Sequence, residues 1–150
     1  MKALLASFRW AARGIAFCLK TGRNFRIMTC AAGYVVWFGW MAGLTGAEWG
    51  MELLCCGLVL ALEGMNTALE QLCDRVTRAR DDYIRRAKDC AAGAVLLASV
   101  CAALIWLVIT LGGGYWQVLL SWRGGLMLLT LPTAVWWAFR AHGASAYPRL

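Results

Sequence analysis

Long apolar stretches separated by short polar segments dominate the chain. Four of them approach the ~20 residues that a helix needs to cross the hydrocarbon of a bilayer. They cover 25–44, 49–62 with a continuation to 73, 90–111 and 116–139. The last stretch is the weakest, because Gln117 and Arg123 interrupt it and Pro132 lies inside it, so a short interfacial piece followed by a kinked helix is the alternative. The pattern predicts an all-α membrane protein with several spans.

The first twenty residues have a different, amphipathic pattern. Apolar residues recur at helical spacing, whereas Lys2, Arg9, Arg13 and Lys20 fall on the opposite face. Arg9 and Arg13 also interrupt the apolar region that a signal peptide needs. We therefore predict a polytopic bundle with an N-terminal interfacial helix, three core transmembrane helices and an additional C-terminal membrane segment. The core covers 1–111 and the extension covers 112–150.

The basic residues are distributed unevenly between the connections. The formal net charge is +7, from 15 Lys and Arg against 8 Asp and Glu. The cations precede the first stretch, fill the connection at 75–88 and follow the fourth stretch, and only Arg123 falls on the other side. Because cytoplasmic loops of membrane proteins are rich in Lys and Arg, this distribution predicts a cytoplasmic N-terminus. It indicates contact with anionic lipid and disfavours nucleic acid as a partner.

The cysteines and the single histidine do not form a recognisable metal or redox motif. Most of the seven cysteines lie inside apolar stretches, without the C-x-x-C spacing of a zinc or redox site. They are interpreted as small core residues. His142 stands alone in the C-terminal tail, which disfavours a metal or catalytic role. The triple glycine at 112–114 lacks the Lys-Ser/Thr of a phosphate-binding loop and predicts a turn.

A polar stripe interrupts the second apolar stretch. Glu63, Asn66, Glu70 and Asp74 follow one another at offsets of three, four and four residues. On a helix they lie within roughly 80° of arc along ~16 Å. A carboxylate inside hydrocarbon is costly, by several kcal/mol on the lower estimates, so a functional stripe is the favoured interpretation. The alternative is that the stripe only pairs with arginines of neighbouring helices.

The graded depth of this stripe suits a reaction between a water-soluble reagent and a membrane-buried one. Glu63, the deeper carboxylate, is placed to take a proton from a lipid hydroxyl, and Glu70 is placed to hold a divalent cation. Phosphoryl transfer also needs positive charge against the phosphates, which Lys88 and the arginine-rich segment 75–86 supply at the same membrane face. Simple anchoring of the loop is the alternative role of Lys88.

Four segments resemble one known family. EGMNTALEQLCDRVT and RAKDCAAGAVLLASV resemble the two hallmark segments of the small prokaryotic integral-membrane lipid kinases, the diacylglycerol kinase and undecaprenol kinase family. SFRWAARGI and RNFRI resemble the opening helix and bend of that family, so the resemblance covers roughly residues 7–110. NTALE and AKDCAAGAVLL are closer to the Gram-positive undecaprenol kinases.

The resemblance implies an integral-membrane kinase of the bacterial cytoplasmic membrane. The implied reaction is ATP-dependent phosphorylation of undecaprenol to undecaprenyl phosphate, with diacylglycerol to phosphatidic acid as the alternative. The implied cofactor is Mg²⁺, and the implied partners are ATP, the lipid substrate, the bilayer and two further copies of the chain in a homotrimer with shared active sites.

The resemblance also implies roles for individual residues. Glu63 matches the catalytic base and Glu70 the magnesium ligand. The implied ATP-binding residues are Trp10, Asn66, Glu70, Asp74, Lys88 and Asp89. The implied lipid-binding residues are Ser7, Arg13, Asn24, Phe25 and Arg26.

Two positions depart from the pattern of that family. Gly22 stands where members usually carry a second magnesium-binding Glu, and Ala79-Arg80-Asp81 replaces a usual Glu-Tyr-His stretch. Asp81 or Asp82 is a candidate replacement ligand. The alternative of another class is a degenerate, catalytically inactive helical scaffold whose stripe no longer assembles a metal site.

Overall fold

The structure is a computed structural model that describes residues 2–76 and 81–140, and these residues form helices and no strand. The predicted all-α class is therefore confirmed for this part of the chain. The helices are α1 (Lys2–Thr21), α2 (Arg23–Ala42), α3 (Gly46–Val76), α4 (Asp82–Gly112), α5 (Trp116–Leu119) and α6 (Trp122–Phe139).

The two longest helices, α3 and α4, form the centre of the bundle. Each has 31 residues, or about 46 Å at ~1.5 Å per residue, which exceeds the ~30 Å of bilayer hydrocarbon. They pack more extensively on each other than any other pair of described helices does. In the described part of the chain, only these two are long and apolar enough to cross a membrane by length and composition. The predicted spans at α2 and in the C-terminal segment stay predictions.

A single residue, Gly22, connects α1 to α2. Its amide donates to the carbonyl oxygen of Cys18 at 2.8 Å. A Cβ atom added at Gly22 would lie 2.8 Å from that same oxygen and 3.2 Å from the Cβ of Phe25. Because the nearest atom belongs to the backbone, α1 would have to move to admit any side chain here. The close approach of the two helices therefore requires glycine.

Hydrogen bonds around Glu48 fix the opposite end of the bundle. Its Oε2 accepts from the amide and the hydroxyl of Thr45 at 2.8 and 2.7 Å. Thr45 and Glu48, three residues apart, thus form a capping box at the start of α3. The phenol of Tyr115 donates to the same oxygen at 3.1 Å and joins the α4–α5 connection to α3. The hydrogen bond to this carboxylate raises the pKa of Tyr115.

The C-terminal segment is divided into two helices. α5 is short, and α6 begins at Trp122 and continues through Pro132. One continuous span over 116–139 is therefore wrong, and the alternative of a short piece followed by a longer helix describes the division. α6 packs on α2, where the Tyr34 and Thr130 hydroxyls lie 2.8 Å apart. The predictions about His142 fall outside the described residues.

The side chain of Arg26 ties three helices together. It is only 4% exposed. Its guanidinium donates to the carbonyl oxygens of Leu19 and Lys20 at 3.2 Å each, of Ala138 at 2.9 Å and of Arg140 at 3.1 Å. Carbonyls at helix C-termini lack intrahelical partners and carry partial negative charge. One buried cation thus joins the start of α2 to the ends of α1 and α6.

Candidate active site on helix α3

The polar stripe follows one face of α3 and becomes more exposed along it. Glu63 and Asn66 are 4% and 5% exposed, whereas Glu70 and Asp74 are exposed. Burial within the chain therefore decreases along the stripe from Glu63 to Asp74. The predicted graded depth in the membrane stays a prediction.

The middle of the stripe offers two oxygen ligands one turn apart. Asn66 Nδ2 donates to Glu70 Oε1 at 3.3 Å. Asn66 Oδ1 is buried and has no hydrogen-bond partner among the described residues. Mg²⁺ prefers oxygen ligands and is usually held by one or two carboxylates together with water and phosphate oxygens. The unsatisfied amide oxygen beside a carboxylate fits such an ion.

The protein part of that candidate metal site is small. Within residues 2–76 and 81–140, no group of three or more His, Cys, Asp or Glu residues could hold a metal ion. Glu70 and Asn66 alone leave most of an octahedral coordination shell to other oxygens. A cation at Glu70 therefore depends on oxygens from outside this chain, of which nucleotide phosphates are the suitable kind.

An ion pair joins the exposed end of the stripe to α4. Lys88 Nζ donates to Asp74 Oδ1 across the antiparallel pair of helices. The described part of the chain contains no ion pair between the stripe and an arginine. The interpretation that arginines neutralise the stripe thus has no support among the described residues, and Arg78 and Arg80 lie outside them. Asp89, next to Lys88, is exposed.

An apolar groove lies between α1, α2 and α3, along the part of α3 that contains Glu63. Its volume is about 530 Å³. Gly64, the neighbour of Glu63, and Thr67, one turn further on, line it together with Cys18 and Phe25. The apolar walls of such a groove suit an apolar chain. Phe25, which we predicted to bind lipid, is thus a wall of the groove.

The other predicted lipid-binding and nucleotide-binding positions lie away from the stripe or have structural partners. Trp10 is 65% exposed on α1. Asn24 and Arg13 are exposed, and exposed Ser7 donates to the Ala3 carbonyl at 3.2 Å. Their predicted roles stay predictions. For Arg26 the structure supplies a structural role, because backbone carbonyls occupy its guanidinium.

The structure also bears on the two positions that depart from the family pattern, Gly22 and the stretch that ends at Asp81. A Glu at position 22 would meet the Cys18 carbonyl. Asp81 caps α4, since its Oδ1 accepts from the Tyr83 and Ile84 amides at 2.8 and 3.1 Å. Asp82 pairs with Arg85 at 3.3 Å. Local capping and pairing therefore account for both acids without a metal. Residues 79 and 80 lie outside the described residues.

Sequence reasoning missed one buried carboxyl, that of Glu52. It lies on α3 and is 3% exposed, and its Oε1 has no hydrogen-bond partner among the described residues. It precedes Glu63 by eleven residues, which places it about 20° away around the helix, on the same face. This eleven-residue offset is the feature of the sequence that could have indicated that Glu52 shares the face of the stripe.

Comparisons with known proteins agree with these features. Residues 9–110 match the family described as prokaryotic diacylglycerol kinase. A diacylglycerol kinase of Synechocystis sp. is 40% identical over 103 residues, which are 68% of this chain and 59% of that protein. An undecaprenol kinase of Bacillus subtilis is 38% identical over 105 residues, which are 70% of this chain and 85% of that protein. No solved structure matches the chain at a significant level.

The third relative is more distant. A diacylglycerol kinase of Haemophilus influenzae is 27% identical over 103 residues, which are 69% of this chain and 87% of that protein. The chain thus spans less than two thirds of the Synechocystis relative and most of the other two. All the matched lengths contain the stripe on α3, and the family match ends at residue 110, before the C-terminal extension. The resemblance in the sequence is confirmed: the chain belongs to the prokaryotic diacylglycerol kinase family.

Proposed function

We propose that this protein transfers the γ-phosphate of ATP to the hydroxyl of a membrane lipid at the stripe on α3. One observation carries the proposal: the carboxylate of Glu63 is buried, its neighbour Gly64 lines an apolar groove, and the stripe continues from Glu63 into the exposed oxygens of Glu70 and Asp74. A reaction that joins a lipid to a water-soluble nucleotide needs both surroundings within a few ångströms of each other.

The proton and the phosphoryl group follow separate routes in this scheme. Glu63 accepts the proton of the lipid hydroxyl as the hydroxyl oxygen forms a bond to the γ-phosphorus. The bond from that phosphorus to the β–γ bridging oxygen breaks, and ADP leaves. Lys88, beside Asp74, supplies positive charge near the phosphates. Asp74 holds that ammonium in place, and Asp89 and Trp10 belong to the proposed nucleotide side.

Glu70 and Asn66 are the residues that would hold Mg²⁺ with the nucleotide. When bound, the ion supplies charge neutralisation on the phosphate oxygens. The unsatisfied Asn66 Oδ1 supports this assignment, because ion binding would give that buried oxygen a partner. It also argues against the inactive scaffold, in which no ligand would offset the cost of burying the amide oxygen.

Undecaprenol is the first candidate substrate. The groove is lined mostly by apolar side chains, and its Thr29 hydroxyl already donates to the Phe25 carbonyl at 2.7 Å. An isoprenoid chain needs no hydrogen-bond partners from such walls. The ester carbonyls of diacylglycerol, in contrast, would be buried with few hydrogen-bond donors nearby. Diacylglycerol remains the second candidate, because relatives of both names are similar to this chain to nearly the same degree.

The proposal includes the assembly and its orientation. The N-terminus faces the cytoplasm, and three copies share active sites between neighbours. The exposure of Trp10 and Asn24 supports a shared site, because these side chains are available to a neighbouring copy. Crosslinking of purified protein in bilayers tests the number of subunits independently of activity.

A lipid phosphorylation assay tests the proposed reaction. Full-length protein is reconstituted in vesicles and given γ-labelled ATP with undecaprenol or diacylglycerol separately. We expect Mg²⁺-dependent label in undecaprenyl phosphate. Preferential labelling of diacylglycerol would overturn the substrate assignment, and transfer to neither lipid would overturn the proposed reaction. Omission of Mg²⁺ is the matched control within each assay.

A further inference from the structure

A second cavity lies nearer the N-terminus of α3, between α2, α3 and α4. Its volume is about 260 Å³. Its walls are apolar apart from three polar side chains, Glu52, Ser99 and Trp106, and the thiols of Cys55 and Cys56. Glu52 is separated from Glu63 by eleven residues, or ~16 Å along the helix axis. The cavity and the groove share no lining residue, so they are distinct spaces.

Two polar atoms of this cavity have no hydrogen-bond partner among the described residues. They are the carboxyl oxygen Oε1 of Glu52 and the indole nitrogen Nε1 of Trp106. The third polar group is satisfied, because the Ser99 hydroxyl donates to the Val95 carbonyl at 2.8 Å. Buried polar atoms almost always have partners, so this pair indicates a missing ligand.

The chemistry of the pair limits that ligand. The indole N–H only donates, so the ligand must accept a hydrogen bond, which no metal cation can do. Glu52 is 97% buried, and an unpaired carboxylate is costly in apolar surroundings, so its neutral acid, which both donates and accepts, suits this place. A hydroxyl group has the matching chemistry, since it can accept from an indole N–H and donate to a carboxyl oxygen, and both atoms belong to side chains that line the same cavity.

The size and walls of the cavity indicate what the hydroxyl is attached to. An apolar cavity of ~150 Å³ already accepts benzene, so this one has room for a longer hydrocarbon fragment. Water alone is a poor occupant, because the volume would hold several molecules at ~30 Å³ each, and a buried water needs two to four polar partners. Only two unsatisfied protein atoms are offered. A single hydroxyl on an aliphatic chain uses both and fills the rest.

We infer that the cavity at Glu52 and Trp106 is a second lipid site, which binds the hydroxyl end of an aliphatic alcohol without reacting with it. The inference does not depend on the proposed phosphorylation. Phe38 supports the site from behind: it is buried and packs against the Trp106 ring at a centroid distance of 5.4 Å. The indole is thus held in a fixed orientation toward the cavity.

Photolabelling tests this inference. The probe is a diazirine-bearing octanol, and the matched probe is the same diazirine alkane without the hydroxyl. Both are added to full-length protein in lipid nanodiscs, and the labelled residues are identified by mass spectrometry. We expect the alcohol to label cavity-lining residues such as Met28 and Ala103 about fivefold more than the alkane does, as loss of one net hydrogen bond predicts.

Three variants separate the hydroxyl site from a merely apolar cavity. Trp106→Phe keeps an aromatic ring but removes the N–H, and Glu52→Leu removes the carboxyl. Each is expected to lower the preference for the alcohol about fivefold. Glu52→Gln keeps a donor and an acceptor and should retain the preference. Leu53→Ala, at an exposed neighbouring position on α3, is the control expected to leave labelling unchanged.

Several outcomes would overturn the inference. Equal labelling by the alcohol and the alkane would make the cavity an apolar one only. No labelling at the cavity would mean that water or a second copy of the chain fills it. If Glu52→Leu does not fold, Trp106→Phe still decides, and an unchanged preference for the alcohol in that variant would remove the indole from the site.

Discussion

The two halves of α3 carry buried carboxyls on the same face in different surroundings. In the C-terminal half, Glu63 is followed by Asn66 and Glu70, whose side chains are hydrogen-bonded to each other and lead outward to exposed positions. In the N-terminal half, Glu52 lines a mostly apolar cavity, and neither its Oε1 nor the indole nitrogen of Trp106 has a hydrogen-bond partner among the described residues. Burial is nearly equal at the two acids, so burial alone does not identify a catalytic carboxylate.

The difference lies in access to a second reagent. Glu63 is followed by Gly64, which lines an apolar groove, and by the exposed oxygens of Glu70 and Asp74, so this half offers both an apolar and an exposed polar surface. Glu52 adjoins only a cavity, so one ligand can bind and nothing can be transferred to it. The comparison predicts a reacting acid and a binding acid on one helix.

Exchanging each acid for its amide is the most direct way to break this comparison. Glu63→Gln removes the proton acceptor, so we expect the turnover rate to fall about 10²- to 10⁴-fold. Glu52→Gln keeps its hydrogen-bonding capacity and should leave the rate close to that of the unmodified protein. Initial rates of lipid phosphorylation in vesicles measure both, with circular dichroism as the check on folding. Near-normal turnover in Glu63→Gln, or an equal loss in Glu52→Gln, would contradict the distinction.

Substitution of Arg26 tests whether the groove between α1, α2 and α3 depends on the C-terminal extension. Arg26→Met leaves four backbone carbonyls without their donor, so we expect the free energy of unfolding to fall by about 2–4 kcal/mol. Denaturant titration in detergent micelles measures the change. Arg9→Met, at an exposed position of α1, should stay within ~0.5 kcal/mol. If the two variants were equally stable, the buried guanidinium would not be a structural tie.

Two substitutions distinguish the proposed metal ligand of the stripe, Glu70, from Asp74, which contacts Lys88. Glu70→Gln removes the charge of the proposed Mg²⁺ ligand, so the Mg²⁺ concentration for half-maximal activity should rise about tenfold, equal to ~1.4 kcal/mol. Asp74→Asn, which weakens the contact with Lys88, should instead raise the KM for ATP. Magnesium titrations at saturating ATP separate the two effects. An unchanged magnesium dependence in Glu70→Gln would assign the ion to other ligands.

The helices of the core could be predicted closely from apolar patterning. The predicted start of the third span, at Cys90, lies inside α4, and the stretch at 25–44 overlaps nearly all of α2. The Asn66–Glu70 contact could also be expected, because residues four apart face each other on a helix. These features are local, and local spacing determines them.

The tertiary contacts could not be read from spacing in the same way. The partner of Asp74 lies 14 residues away, on the neighbouring helix α4. The carbonyls that hold Arg26 lie up to 114 residues away. Glu52 is a single acid in an apolar stretch, and whether it faces lipid, a partner or a cavity depends on how α2 and α4 pack around it. The break before Trp122 was available only as an alternative, since no strong breaker precedes it.

The anchoring of Arg26 has a practical consequence for anyone shortening this chain. The family match ends at residue 110, which invites a truncated version that contains the matched region alone. Two of the four carbonyls that hold Arg26 belong to residues 138 and 140 of the extension. A truncated version would therefore keep the proposed catalytic stripe and lose two of the four carbonyls that hold Arg26. Expression and purification trials should retain the chain through residue 140.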